Sequence, residues 1–228
     1  MNLVVPSLTL SSSPHAVSGT LQIVLLLTVL SLAPAILIMV TCFTRIVVVL
    51  SFVRNALSMQ SAPPNQVLIG LALFMTMFIM QPTFSQANQT ALQPYLKGQI
   101  SQSVALSRAE LPFKVFMAKQ TRIADLDLFL SYRHLPLPKN PSAINPSSIP
   151  FDALVPAYTI SELKTAFQIG FMLYIPFLLI DLVVATTLMS MGMMMLPPVT
   201  ISLPFKILLF VMVDGWYLVV KSLLAGYS

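Results

Sequence analysis

Three ionisable side chains stand inside otherwise apolar stretches of this chain: Asp181 in the run Ala166–Leu196, and Lys206 and Asp214 in the run Val199–Val220. Glu162 and Lys164 come just before the first of these runs. An isolated charge at the centre of a bilayer costs about 2.5–3.5 kcal/mol even on insertion scales, so each group needs a partner, an aqueous lumen or a protein interface. Two chemistries fit. One is structural pairing, for example of Glu162 or Asp181 with Lys206, within one chain or between copies. Pairing between copies would favour correct assembly more than stability, because desolvation offsets much of the attraction. The other is a proton or ion relay, as in a proton-coupled membrane transporter of small solutes. A transporter of that kind is expected to show inverted-repeat symmetry, which this sequence does not display.

A second unusual stretch is Met189–Ser190–Met191–Gly192–Met193–Met194–Met195, followed by Leu196–Pro197–Pro198. Methionine is unbranched and polarizable and repacks around irregular shapes. Gly192 loosens the helix and the two prolines end it. In a protein with 14 methionines such a stretch is ordinary core filling; in a ring of subunits it is a compliant apolar constriction. Composition leaves both readings open.

Signatures of catalysis are missing. His15 and His134 are the two histidines, far apart in polar surroundings. No His-Glu-x-x-His pair, phosphate-binding glycine loop or dinucleotide fingerprint is present, nor a nucleophile elbow. The single cysteine, Cys42, permits neither an intrachain disulfide nor a thiolate cluster, and its apolar surroundings suit a small buried hydrophobe. No catalytic residue, metal site or cofactor is therefore expected, and the chain does not read as an enzyme. The formal charge of +5 comes from scattered basic residues, without the run or stripe that nucleic acid requires.

The elements that must hold these residues are membrane elements. Of 228 residues, 57% are hydrophobic and 8% charged, with a mean hydropathy of +0.87; a soluble domain carries about 25% charged residues. Four apolar segments stand out: Leu21–Val53, interrupted by Pro34 and Arg45; Val67–Met80; Ala166–Leu196, with Pro176; and Val199–Val220, with Pro204. The second is short against the roughly 20 residues that a spanning helix needs. Prolines inside such segments imply bent helices whose freed backbone groups are satisfied by neighbouring helices. Of the 12 basic and 7 acidic residues, 13 fall between Lys97 and Lys164, which marks a separate polar region. Three parts follow: residues 1–80 with two hydrophobic segments, 81–155 as a polar extracytoplasmic subdomain, and 156–228 as a C-terminal helical hairpin with the methionine-rich loop. In the polar part, Pro112 suits the first turn of a helix, and Phe113, Phe116, Met117, Ala124 and Phe129 fall near one helical face. Leu135–Pro150 reads as an irregular loop. The fold class is an all-α integral membrane protein of bent, broken helical hairpins with a helical polar middle, built to join a larger assembly. Arg45 and Arg54 favour a cytoplasmic connection between the first two segments, which places the N-terminus and the middle subdomain outside and the turn of the last hairpin inside. Arg45 is also the first positive charge, so the start lacks the charged region of an ordinary signal peptide.

Several strings carry a resemblance beyond composition. Arg54–Leu57, Ser61–Phe74, Ser161–Phe171, Ile175–Val183, the methionine string through Pro197–Pro198, Leu203–Lys206 and Val213–Trp216 together resemble the FliP family of type III export-gate proteins. The forms Ala62–Gln66 and Glu162–Gln168 are more similar to the flagellar branch than to the SctR-like injectisome branch. The resemblance extends over nearly the whole chain, least distinctively in the middle, and departs from many flagellar members in lacking a basic-plus-apolar leader. It implies a core subunit of the flagellar export gate, passing unfolded rod, hook and filament proteins across the bacterial inner (cytoplasmic) membrane at the flagellar basal body. It further implies a homo-oligomer in a pentameric ring with FliQ and FliR family subunits, partly above the bilayer plane. By the same resemblance, Met191, Met193, Met194 and Met195 form a pore gasket, shaped by Gly192, Pro197 and Pro198. Glu162, Lys206, Asp181 and Asp214 are then inter-subunit polar contacts.

Overall fold

The computed structural model describes residues 24, 27–28, 30–32, 34–59, 62–135, 145–193 and 195–227. His15 and Met194 lie outside them. The described residues are helical, joined by turns and short loops, and contain no strand. The chain forms two compact units, residues 1–37 and 38–228. In the first, the described positions are helical and exposed, with Thr28 Oγ1 donating to the Val24 carbonyl at 2.8 Å.

The second unit begins with α1 (Phe43–Ala56), then α2 (Asn65–Ala87), which continues through a π-helical turn at Asn88–Leu92 into Gln93–Leu96. The polar part holds α3 (Gln102–Gln120) and α4 (Ile123–Tyr132). A 40-residue helix, α5 (Phe151–Ser190), leads to α6 (Pro198–Met212) and α7 (Gly215–Ala225). Asn65–Leu96 and Phe151–Ser190 are each long and apolar enough to cross a membrane. Pro34–Val40 with Phe43–Ala56, and α6 with α7, pass the same test when each pair is taken together. The chain is an all-α membrane protein.

Four local expectations change. The second apolar segment is short only as an apolar run: its helix continues past Met80 to Leu96 as 32 residues, because polar Gln, Ser and Asn side chains extend a helix that has already nucleated. Pro112 lies within α3 rather than in its first turn. The apolar face from Phe113 to Phe129 is divided between two helices, broken at Thr121 and Arg122. In the first apolar segment the helix is interrupted at Thr41 and Cys42, and Pro34 and Arg45 are both helical.

Packing centres on α5. At about 1.5 Å per residue it is about 60 Å long, twice a hydrocarbon core of about 30 Å, so its two ends occupy different surroundings. Its first half packs in two places. Leu154, Ala157 and Tyr158 join Met117, Leu126, Leu130 and Ile149 in a core with α3 and α4. Ala166 joins Ile46, Val49, Leu50 and Val53 of α1 and Leu68 and Ala72 of α2. Where α1 crosses α5, a Cβ on Gly170 would stand 2.5 Å from the Phe52 ring, so only glycine admits this approach. Phe52 also meets Phe167 edge-on at 5.2 Å.

Candidate functional site

Glu162 is fully buried, with Arg45 nearly so. The α1–α5 packing brings them together in a forked pair, Nε to Oε2 at 2.9 Å and Nη2 to Oε1 at 2.5 Å. Buried carboxylates are tolerated when their remaining lone pairs are also satisfied. Tyr227 Oη, after α7, donates to Oε2 at 2.6 Å. The guanidinium makes two further bonds: Nη2 donates to Gln120 Oε1 at 3.2 Å and Nη1 to the Gly226 carbonyl at 3.3 Å. Its Cζ lies 4.0 Å from the Tyr227 ring centroid, within cation–π range. Burial raises the Tyr227 phenol above its ordinary range and the Glu162 charge adds to this, which keeps the hydroxyl protonated as a donor. One residue earlier, Ser161 donates to Asp125 Oδ2 at 2.7 Å and accepts from the Arg122 amide at 3.0 Å, tying α4 to the same turn of α5.

A second cluster lies further along α5. Lys206 is fully buried and its Nζ donates to Asp181 Oδ2 at 2.6 Å and to Ser58 Oγ at 2.7 Å. Ser202 Oγ donates to Asp181 Oδ1 at 2.5 Å. Ser202 and Lys206 are one turn apart on α6, so both face the same carboxylate. Ser58 has φ +56° and belongs to the turn after α1. This cluster is less enclosed: the Asp181 side chain retains 28% exposure. Beside it, Leu179, Ile180, Val183, Val184 and Phe205 line a wholly apolar groove of about 390 Å³.

Within the chain, then, Glu162 pairs with Arg45 and Lys206 pairs with Asp181. Asp214 joins neither cluster; it is exposed at the corner between α6 and α7, with φ +51°, and the two helices meet there at 61°. Lys164 is exposed. Arg45 changes role most: as a buried partner it is not a loop charge, which leaves Arg54 alone to support the orientation argument. Sequence reasoning also passed over Tyr227, Gln120, Ser58 and Ser202. Their partners are 65, 75, 148 and 21 residues away, beyond any local periodicity; an unpaired arginine in an apolar run was the one available signal.

The methionine loop caps the α5–α6 hairpin. Gly192 adopts φ +74°, the left-handed conformation that ends a helix. Pro197 is the N-cap of α6 and Pro198 its first residue. Met189, Met191 and Met195 are exposed, Met195 at 98%, and Met193 is half-buried. Among the described residues no group of three His, Cys, Asp or Glu could hold a metal ion, and His134 is an exposed turn residue.

The model of the FliP family matches residues 26–223. The Flagellar biosynthetic protein FliP of Bacillus subtilis (strain 168) is 63% identical over 217 residues, covering 95% of this chain and 96% of that protein. The protein of the same name from Aquifex aeolicus (strain VF5) is 50% identical over 224 residues, covering 98% and 92%. That from Pectobacterium carotovorum subsp. carotovorum is 51% identical over 208 residues, covering 91% and 79%. Matched from the first apolar segment to α7, and along most of each relative's length, the chain belongs to the FliP family.

Proposed function

We propose that this chain is a core subunit of the flagellar protein-export gate in the bacterial inner membrane. With further copies in a pentameric ring, and with FliQ and FliR family subunits, it forms the channel that passes unfolded rod, hook and filament proteins at the flagellar basal body. A role in flagellar export is supported by the names of the relatives. The channel reading rests on one observation above the others: an apolar hairpin, α5–α6, carries unpartnered side chains along its length and exposed methionines at its turn. A single chain leaves that surface uncovered, and large exposed apolar patches mark interaction sites. Arranged around an axis, Met191, Met193, Met194 and Met195 would make a soft constriction that yields to a passing polypeptide, with Gly192, Pro197 and Pro198 setting the loop's shape. The chain then acts as a conduit, not an enzyme.

The hydrogen-bonded ion pairs inside the chain support structural work rather than a proton relay. Glu162 and Lys206 are spent on partners inside the chain, which leaves exposed Asp214 and half-exposed Asp181 as the acidic groups available to a neighbouring subunit. The test replaces Met191, Met193, Met194 and Met195 with alanine in the assembled complex and measures ion flux across vesicles. The expected result is raised permeability with an unchanged multimer mass. Unchanged permeability in correctly sized complexes overturns the gasket. Uptake of a small solute driven by a pH gradient, by the purified chain alone, would favour the transporter instead.

A further inference from the structure

Gly226 and Tyr227 lie beyond residue 223, where the family match ends, yet they meet the buried Arg45–Glu162 cluster at several points. The Gly226 carbonyl accepts from Arg45 Nη1 at 3.3 Å. A Cβ on Gly226 would stand 3.3 Å from that same nitrogen, so glycine lets the turn close on the guanidinium. Tyr227 Oη donates to Glu162 Oε2 at 2.6 Å, its ring lies 4.0 Å from the Arg45 guanidinium carbon, and the ring stacks on Phe116 at 6.0 Å and 17°. These partners stand on three different helices, α1, α5 and α3.

We propose that Tyr227 is a positioning residue, a clasp that holds α7 to the junction of α1, α3 and α5. Both ends of the contact matter. Phe116 and Gln120 belong to α3, in the polar subdomain, whereas α7 completes the chain segment that begins at the methionine loop. The clasp therefore joins the polar subdomain to the C-terminal helices, so that a displacement of one is felt by the other. The phenol suits this position because it combines a directional donor for a carboxylate with a flat face for a guanidinium and a second ring. Phenylalanine would keep the stacking and lose the donor, and leucine would lose both. The consequence for export rests on the subunit reading above; the clasp itself does not.

Hydrogen–deuterium exchange of the full chain in detergent tests it, because local opening is read peptide by peptide. In Tyr227→Phe, exchange in residues 215–225 is expected to accelerate about tenfold, the weight of one hydrogen bond to a charged group. In Tyr227→Leu the acceleration is larger and spreads to residues 113–120, while residues 65–80 and 123–132 exchange as before. Unchanged exchange in residues 215–225, or a uniform acceleration across all helices, overturns the clasp. Should the leucine variant fail to purify, the phenylalanine variant decides by the same criterion. Neither arm depends on a ring or on ion flux, so failure here leaves the methionine-loop test intact, and failure of that test leaves the exchange pattern intact.

Discussion

Each half of α5 has a carboxylate paired with a buried cation, Glu162 with Arg45 and Asp181 with Lys206, and the two are housed differently. In residues 151–170, Ala153, Leu154, Ala157, Tyr158, Ser161, Glu162, Ala166 and Gly170 are all buried; in residues 171–190 only Phe177 and Leu188 are. Glu162 sits in the first half and accepts three hydrogen bonds, two from Arg45 and one from Tyr227. Asp181 sits in the second, held by Ser202 and Lys206 of α6, with its side chain part exposed and with Leu178, Leu179, Leu182 and Val183 bare around it. The first half is the interior of a folded subunit. The second half is a surface, supplied with just enough polar pairing to hold the α5–α6 hairpin closed until lipid or further protein covers it. One continuous helix thus links a buried half to an exposed and more apolar one.

This contrast can be broken most sharply at Glu162. Arg45→Ala leaves a carboxylate buried with no cation, which costs about 3–5 kcal/mol; the expected outcome is loss of a cooperative melting transition in detergent, followed through Trp216 fluorescence. The double variant Arg45→Met with Glu162→Met is expected to recover most of that loss, since well-packed apolar pairs can replace buried ion pairs. Next in size is Gly170→Val, which drives a side chain into Phe52 and costs about 1–3 kcal/mol; a second change of Phe52→Ala should restore part of the melting temperature. Lys206→Met is expected to cost less than Arg45→Ala, about 1–2 kcal/mol, because Asp181 keeps the Ser202 hydrogen bond and its access to solvent. A loss equal to that of Arg45→Ala would erase the distinction between the two halves. Arg133→Ala, which removes the exposed pair to Asp152, should shift stability by less than about 1 kcal/mol. Smallest of all, Leu182→Ala should change the melting of the isolated chain by no more than about 0.5 kcal/mol, while reducing recovery of the higher-mass complex on co-expression with its partners.

Much of the architecture was legible because hydropathy and proline placement are local properties. The apolar segments, the polar middle and the helix stop at Gly192 and Pro197 can each be read within a dozen residues; most of the expected loop Leu135–Pro150 lies outside the described residues. Element ends were less legible. The polar continuation of α2 past Met80 looks like a change of domain when only composition is read, although a nucleated helix needs merely the absence of a strong breaker to run on; Pro82 and Pro94 did not break it. Pro112 misleads in the same manner, since a proline typical of a first turn here lies ten residues into a helix.

Pairing was the least legible feature. Sequence alone established that Asp181, Lys206 and Glu162 stand where an unpaired charge would be costly, and therefore that partners must exist; it also established the family, through strings spread over both hydrophobic halves. It offered Asp181 with Lys206 as one of two alternatives and did not name Arg45 as the partner of Glu162. Glu162 has Arg45 117 residues away, across the α1–α5 crossing where Gly170 packs on Phe52, and Lys206 has Asp181 25 residues away, across the α5–α6 hairpin. Electrostatic need is written in the burial of one residue, whereas the identity of the group that answers it depends on how whole helices dock, and docking is decided by the shapes of many side chains at once.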